Sequence, residues 1–142
     1  MARHTILLDT TVDLPVERVF DVFADHRRFG KLLGAPIKKV DASPVPGDPN
    51  GVGSVRHIGV GPVSFQEEVT RFERPELIEY KVIQGGPIKN HAGRIEFKAL
   101  EQGCQVTYRV AFDPKVPMTG GVIEKALRDA LGKALKKLPK VA

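Results

Sequence analysis

Residues 117–138 read PMTGGVIEKALRDALGKALKKL, and their periodicity decides how the rest of the chain must fold. Val122, Ile123, Ala126, Leu127, Ala130, Leu131, Ala134, Leu135 and Leu138 recur at three- and four-residue steps, the spacing of one apolar stripe on a helix. Glu124, Arg128, Asp129, Lys133, Lys136 and Lys137 cover much of the remainder. Thr119 or a neighbouring glycine starts this helix, which at 1.5 Å per residue runs to about 30 Å. So broad an apolar face has to be buried. Residues 38–112 are mostly strand-like, so the expected partner is a large antiparallel sheet.

Working back from that helix, six strands are expected: residues 37–42, 53–60, 63–73, 77–84, 91–100 and 104–112. They are separated by turn signals, including the Pro/Gly/Asp-rich run at 44–51, Gly61-Pro62, Arg74-Pro75, Gly85-Gly86-Pro87 and Gln102-Gly103. Short turns between successive strands predict an antiparallel meander. At the front, residues 4–13 read as a first strand with Ile6, Leu8, Thr10 and Val12 on one face. Two short helices follow. The first spans residues 16–24, with Asp13 as its expected cap and Pro15 suiting its start; Val16, Val19, Phe20 and Phe23 have helical spacing. The second is capped by Asp25, carries Phe29, Leu32 and Leu33, and ends at Gly34 and Pro36.

Alternation along the strands sorts the side chains into two faces. One carries Arg56, Ile58, Phe65, Glu67, Val69, Ile78, Tyr80, Val82, His91, Gly93, Ile95, Phe97, Val106, Tyr108, Val110 and Phe112. The other carries Gln66, Glu68, Thr70, Lys81, Arg94, Glu96, Lys98, Gln105, Thr107 and Arg109, a normal solvent face. If the first face meets the long helix, the interior is apolar with a small polar set, beside which Gly93 leaves space.

The stretches TTVDLPVERVFDVFADHRRF (10–29), GVGSVRHI (51–58), FQEEVTRFERPELIEYKVIQGGPIKNHAGRIEFKAL (65–100) and CQVTYRVAFDPKVP (104–117) stand in that order before the terminal helix. In order and spacing they resemble the START-like superfamily, also called Bet v 1-like or SRPBCC, and more narrowly its polyketide cyclase/dehydrase-type members. The resemblance covers nearly the whole chain, although no single stretch is a catalytic signature. It implies an α+β helix-grip fold: a seven-stranded curved antiparallel sheet around the long C-terminal helix, with two short helices plugging one end. It also implies an elongated cavity for lipids, sterols, polyketides or other hydrophobic molecules. Some members catalyse cyclisation or dehydration, and others bind or transfer ligands.

The polar interior set supplies the candidate site. Arg56 can orient a ligand carbonyl or carboxylate, or pair internally with Glu67. Glu67, beneath apolar neighbours, is a candidate general acid or base. His91 is a candidate proton shuttle. Tyr80 and Tyr108 can orient an oxygen while their rings line an apolar wall. The expected ligand-binding residues are therefore Arg56, Glu67, Tyr80, His91 and Tyr108, with Glu67 and His91 as the catalytic pair if a reaction occurs. His57 alternates outward, and His4 and His26 read as isolated. No metal-ligand spacing appears, so neither metal nor cofactor is expected. Cys104 lacks a nucleophile arrangement, and its inward phase favours burial.

At 142 residues and 42% hydrophobic content, one soluble domain spanning 1–142 is the simplest reading. A single cysteine forbids an intrachain disulfide, and no signal peptide or membrane span is evident, so a cytoplasmic location is expected. The net charge is +5, and residues 124–142 alone hold six Lys or Arg against two acids. A basic helix end is favoured by the helix dipole without any partner. It also permits weak attraction to an acidic partner, membrane or nucleic acid. Nucleic acid is the weaker option, since no aromatic stacking platform is evident.

The leading expectation is binding of a small hydrophobic or amphipathic molecule between sheet and helix. The alternatives are a polyketide-like cyclase or dehydratase, and a protein-interaction or chaperone-regulator module using a sheet edge or the basic helix face. A homodimer is compatible with all three.

Overall fold

The computed structural model describes residues 4–60 and 63–142, so the reversal expected at Gly61-Pro62 lies outside the described residues. Strand β1 (His4–Val12) leads into helices α1 (Val16–Ala24) and α2 (His26–Leu33). Six strands follow: β2 (Ile37–Asp41), β3 (Val55–Val60), β4 (Val63–Glu73), β5 (Leu77–Gly85), β6 (Ile88–Ala99) and β7 (Cys104–Pro114). Helix α3 (Gly120–Val141) closes the chain. The strands form one antiparallel sheet in the order β1-β7-β6-β5-β4-β3-β2, the helix-grip arrangement.

The inward and outward faces fall as alternation predicts. Val106, Tyr108, Val110 and Phe112 of β7, Ile95 and Phe97 of β6, and Ile78 and Tyr80 of β5 are buried. They join Phe20, Phe23, Phe29 and Leu32 from the short helices in one core. Phe20 and Phe23 each meet Phe97 edge-on, with ring centroids 5.0 and 5.4 Å apart, which plugs one end of the sheet with aromatic rings. A register shift between Val69 and Arg71 moves the phase of β4 by one residue, so Phe72 rather than Arg71 turns inward after Val69.

Four expectations need correction. Asp13 does not cap α1; Pro15 occupies the cap position without a side-chain bond, and the Asp13 carboxylate instead accepts from Gln102 Nε2 at 3.2 Å. Strand β6 begins at Ile88, not at residue 91, because Ile88 pairs with Pro114 and is buried. Helix α3 begins at Gly120, as expected, but runs past Leu138 and Pro139 to Val141. Its apolar stripe is also wider than the sheet covers. Leu131, Ala134, Leu135 and Leu138 are buried, Ile123 and Leu127 are half-buried, and Val122, Ala126 and Ala130 face solvent. Asp25, by contrast, caps α2 through bonds from the backbone N–H groups of Arg27 (3.0 Å) and Arg28 (3.1 Å). Gly34 ends it in the left-handed conformation, φ 71°.

The two halves of α3 are held differently. At the C-terminal end, Arg18 Nη2 donates to the Ala142 carbonyl at 2.8 Å and Arg28 Nη2 to that of Val141 at 3.4 Å. These cations sit on the negative end of the helix. At the N-terminal half, His4 stacks on Phe112 and Nδ1 meets Glu124 Oε1 at 3.0 Å. Gly120 lets the His4 ring pack there: a Cβ would stand 2.1 Å from it and displace the ring. Gly121, its neighbour, faces open space.

Candidate functional site

A cavity of about 160 Å³ lies between the curved sheet and the N-terminal half of α3. Its floor is buried: Ile58, Tyr80, Tyr108 and Val110. Its rim is partly exposed: Leu33 and Ala35 after α2, Gly86 and Pro87 in the β5–β6 turn, and Ile123 and Leu127 of α3. The mouth therefore opens where α3 is least buried. Gly85 and Gly86 hold φ 80° and 75°, and a Cβ on Gly85 would meet the Ser64 carbonyl at 2.3 Å, so the turn that shapes the mouth demands glycine.

Glu67, Tyr80, His91 and Tyr108 all reach this cavity. Antiparallel pairing sets Glu67 opposite Arg56, Tyr80 opposite Gly93, and Ile95 opposite Tyr108. The two tyrosine hydroxyls bond to each other in a short contact. Gly93 makes that possible, because a Cβ there would stand 2.4 Å from the Tyr80 ring. The space that Gly93 leaves is thus filled by Tyr80. Burial raises both phenol pKa values, so both stay protonated. Two hydroxyl protons serve one mutual bond. The second proton has no acceptor among the described residues and is available to an oxygen in the cavity.

His91 packs tilted against Tyr80, with ring centroids 5.4 Å apart. The Val82 backbone N–H donates to His91 Nδ1 at 3.1 Å. Nδ1 is therefore an acceptor in this arrangement.

Arg56 stands one layer behind the cavity wall. Its Nε donates to Glu67 Oε1 at 2.7 Å. Its guanidinium lies between the rings of Phe29 (4.2 Å) and Tyr80 (4.6 Å). Only 2% of Arg56 is exposed, so the charge is nearly dry. The carboxylate and the two ring faces replace its lost hydration, each ring interaction contributing on the order of 2 kcal/mol when desolvated. Nη2 has no hydrogen-bond partner among the described residues.

His26 belongs to this network, although its sequence position suggested isolation. Arg56 Nη1 donates to His26 Nδ1 at 3.4 Å, and His26 Nε2 lies 2.9 Å from Ser54 Oγ. Arginine only donates, so Nδ1 accepts and Nε2–H donates to Ser54. Burial, then the Arg56 charge, lower the His26 pKa to about 4 against raising contributions from Asp25 and Asp48, so the ring is neutral. Two sequence signals mark these residues. His26 shares the i, i+3, i+7 phase of Phe29 and Leu33, and Ser54 is two residues before Arg56 on the inward face. His4, also read as isolated, is the residue that meets Glu124. His57 faces outward as expected and bonds Asp41 at 2.8 Å. Cys104 is buried, and burial raises its thiol pKa, which disfavours the reactive thiolate. Among the described residues no cluster of His, Cys, Asp or Glu has the arrangement of a metal site.

A family model described as polyketide cyclase / dehydrase and lipid transport matches residues 3–142. No curated protein sequence matches. Among solved structures, a START superfamily protein from Mycobacterium smegmatis superposes with a TM-score of 0.77 at 15% identity, covering 96% of this chain and 95% of that one. Ara h 8.0201 superposes at 0.71 and 18% identity, over 99% and 98%. Norcoclaurine synthase from Thalictrum flavum, in complex with dopamine and hydroxybenzaldehyde, superposes at 0.68 and 18% identity, over 96% and 86%. At these identities the likeness is one of fold.

Proposed function

Because this chain belongs to the polyketide cyclase / dehydrase and lipid transport family, we propose that it binds a small amphipathic molecule in the cavity between sheet and α3. The observation that carries this reading is the cavity itself: apolar walls with Glu67, Tyr80, His91 and Tyr108 gathered in it. Apolar contact supplies most of the affinity, and the few polar groups select orientation. The spare tyrosine proton selects an oxygen acceptor, such as a carbonyl. Arg56 fixes the Glu67 carboxylate from behind and keeps the cluster neutral overall, which favours an uncharged ligand over a carboxylate.

Size narrows the class further. Cavities of about 150 Å³ hold one benzene-sized molecule, whereas drug-sized ligands occupy about 300–1,000 Å³. The occupant is a monocyclic compound, or one end of a longer molecule leaving through the mouth. Native mass spectrometry after gentle purification reveals a retained molecule if occupancy is high. Calorimetry with benzaldehyde and toluene tests the polar anchor: benzaldehyde binds more tightly to the wild type, and Tyr108→Phe narrows that preference. No binding of any monocyclic ligand, with Val110→Phe leaving the thermogram unchanged, overturns the reading.

A catalytic reading rests on the same residues, with Glu67 and His91 transferring protons in a cyclisation or dehydration. The Arg56 bond to Glu67 and the Val82 bond to His91 engage the basic atoms that such a role needs, so binding is the stronger conclusion. Incubation with polyketide-like substrates decides between them: product formation that falls in both Glu67→Gln and His91→Gln establishes catalysis, and unchanged rates in the folded variants exclude those roles.

A further inference from the structure

We infer that the β7–α3 loop and the outer face of the first turns of α3 form a docking surface for an anionic phospholipid membrane. Residues 115–119 join β7 to α3. Met118 is 99% exposed, Val116 60% and Val122 75%. Met118 also holds φ 71°, a left-handed conformation that is unfavourable by roughly 1–2 kcal/mol for a residue with a Cβ. The fold thus keeps a strained backbone there and gains almost no side-chain burial from it. The loop is nevertheless fixed, since Thr119 Oγ1 donates to the Val116 carbonyl at 2.7 Å. Ala126 and Ala130 continue the exposed apolar line along α3.

Lysines flank this line. Lys89, Lys115 and Lys125 are all exposed. Of the nearby acids, Glu124 meets His4 and Arg128, Asp129 takes Lys125 in an exposed pair of little strength, and Asp113 accepts from the neutral Asn90 amide and keeps its charge. The loop and the first turns of α3 set Lys89, Lys115, Lys125 and Arg128 against Asp113, Glu124 and Asp129, in a chain that carries +5 overall. Single apolar side chains projecting among lysines suit the interface of an anionic bilayer, which accepts inserted apolar groups and attracts basic ones. The surface presents neither a groove for a protein helix nor aromatic rings for bases.

The same surface adjoins the cavity mouth. Lys115 N–H donates to the Pro87 carbonyl at 2.9 Å, which ties the loop to the turn that rims the cavity. Val122 faces out, while its neighbour Ile123 lines the rim. Docking therefore turns the mouth toward the lipid. The docking surface stands on exposure and charge and holds whether or not a ligand occupies the cavity.

The test uses the full chain with phosphatidylcholine vesicles prepared with and without phosphatidylglycerol. The wild type sediments with the anionic vesicles and not with the neutral ones, and added salt weakens the binding. Replacing Lys115 or Lys125 by alanine lowers partitioning about fivefold each. Met118→Asp combined with Val122→Asp abolishes it without changing the circular dichroism spectrum. The chain has no tryptophan, so Met118→Trp supplies a single reporter whose emission shifts to the blue only on anionic vesicles. Equal behaviour on both vesicle types, an unshifted emission, or a double Asp variant that binds like the wild type overturns the inference. A double Asp variant that instead dissolves a homodimer, in a protein that ignores vesicles, overturns it in favour of a second copy of this chain.

Discussion

His26 is the residue whose charge state most directly ties stability to pH. Its folded pKa is about 4 against an unfolded 6.5, with burial the leading cause and Arg56 the next. Between those values the unfolded chain takes up a proton that the folded chain refuses. Stability is therefore fully present above pH 6.5 and is lost as pH falls toward 4, by on the order of 3 kcal/mol from this group. Denaturant midpoints followed from neutral to mildly acid pH should show a steeper loss in the wild type than in His26→Gln; parallel curves would show that His26 is not the group. Gly93 offers a second residue-scale test. A methyl at this position runs into the Tyr80 ring at 2.4 Å, so Gly93→Ala is expected to destabilise by about 1–3 kcal/mol, as overpacked cores do. Truncating the ring relieves the clash, so the double variant Gly93→Ala/Tyr80→Leu should be less destabilised than the two single effects added together, a coupling that chemical denaturation measures. The inward set was legible in the sequence because alternation has period two and keeps its phase from Arg56 to Phe112 except beyond Val69 in β4, where a register shift moves it by one residue. The Arg56–His26 contact was not, because it crosses from a strand to a helix and depends on how α2 packs over the sheet end. The bond between Val82 and His91 was equally hidden: it uses a backbone donor, which no side-chain pattern reveals.

At the scale of the element, α3 is one helix with two kinds of attachment. Leu131, Ala134, Leu135 and Leu138 anchor its C-terminal half in the core, and Arg18 and Arg28 hold its last carbonyls. Its first turns rely on half-buried Ile123 and Leu127 and on the His4–Glu124 pair. Local opening should therefore begin at the N-terminal half, over the cavity mouth. His4→Ala removes the only side chain on β1 that bonds α3 there among the described residues. We expect amide hydrogen exchange to quicken in the first two turns of α3 and to stay unchanged from Leu131 onward; uniform acceleration along the helix would mean that it opens as one unit. The periodic pattern announced this helix and its burial in the sheet. It overstated the buried width, because an apolar stripe read from sequence cannot say how far a curved sheet reaches around it. Val122, Ala126 and Ala130 carry the difference, and their exposure is what the membrane-facing surface uses.

At the scale of the whole molecule, the sheet is curved enough to leave the cavity but filled enough to keep it small. Phe20, Phe23, Phe29 and Phe97 occupy one end, so the hollow is confined to the end framed by Gly85, Gly86 and the first turns of α3. The strand pattern alone could not fix this volume, because it depends on side-chain packing around the turn. A closed end and an open mouth predict a definite response to ligand length. In a series of phenyl alkyl ketones, the carbonyl stays with the tyrosine pair while the alkyl chain grows toward the mouth. Each added methylene that remains inside strengthens binding by about 0.8 kcal/mol, or roughly fourfold. Once the chain passes Ile123 and Leu127 it meets solvent, and the gain per carbon falls away. Calorimetric titration across the series should therefore show a break after the first few carbons. Leu127→Ala widens the rim and should move the affinity at the break without altering the initial slope. A featureless rise through the longest ketone would place the alkyl chain on an outer surface of the protein rather than in this hollow.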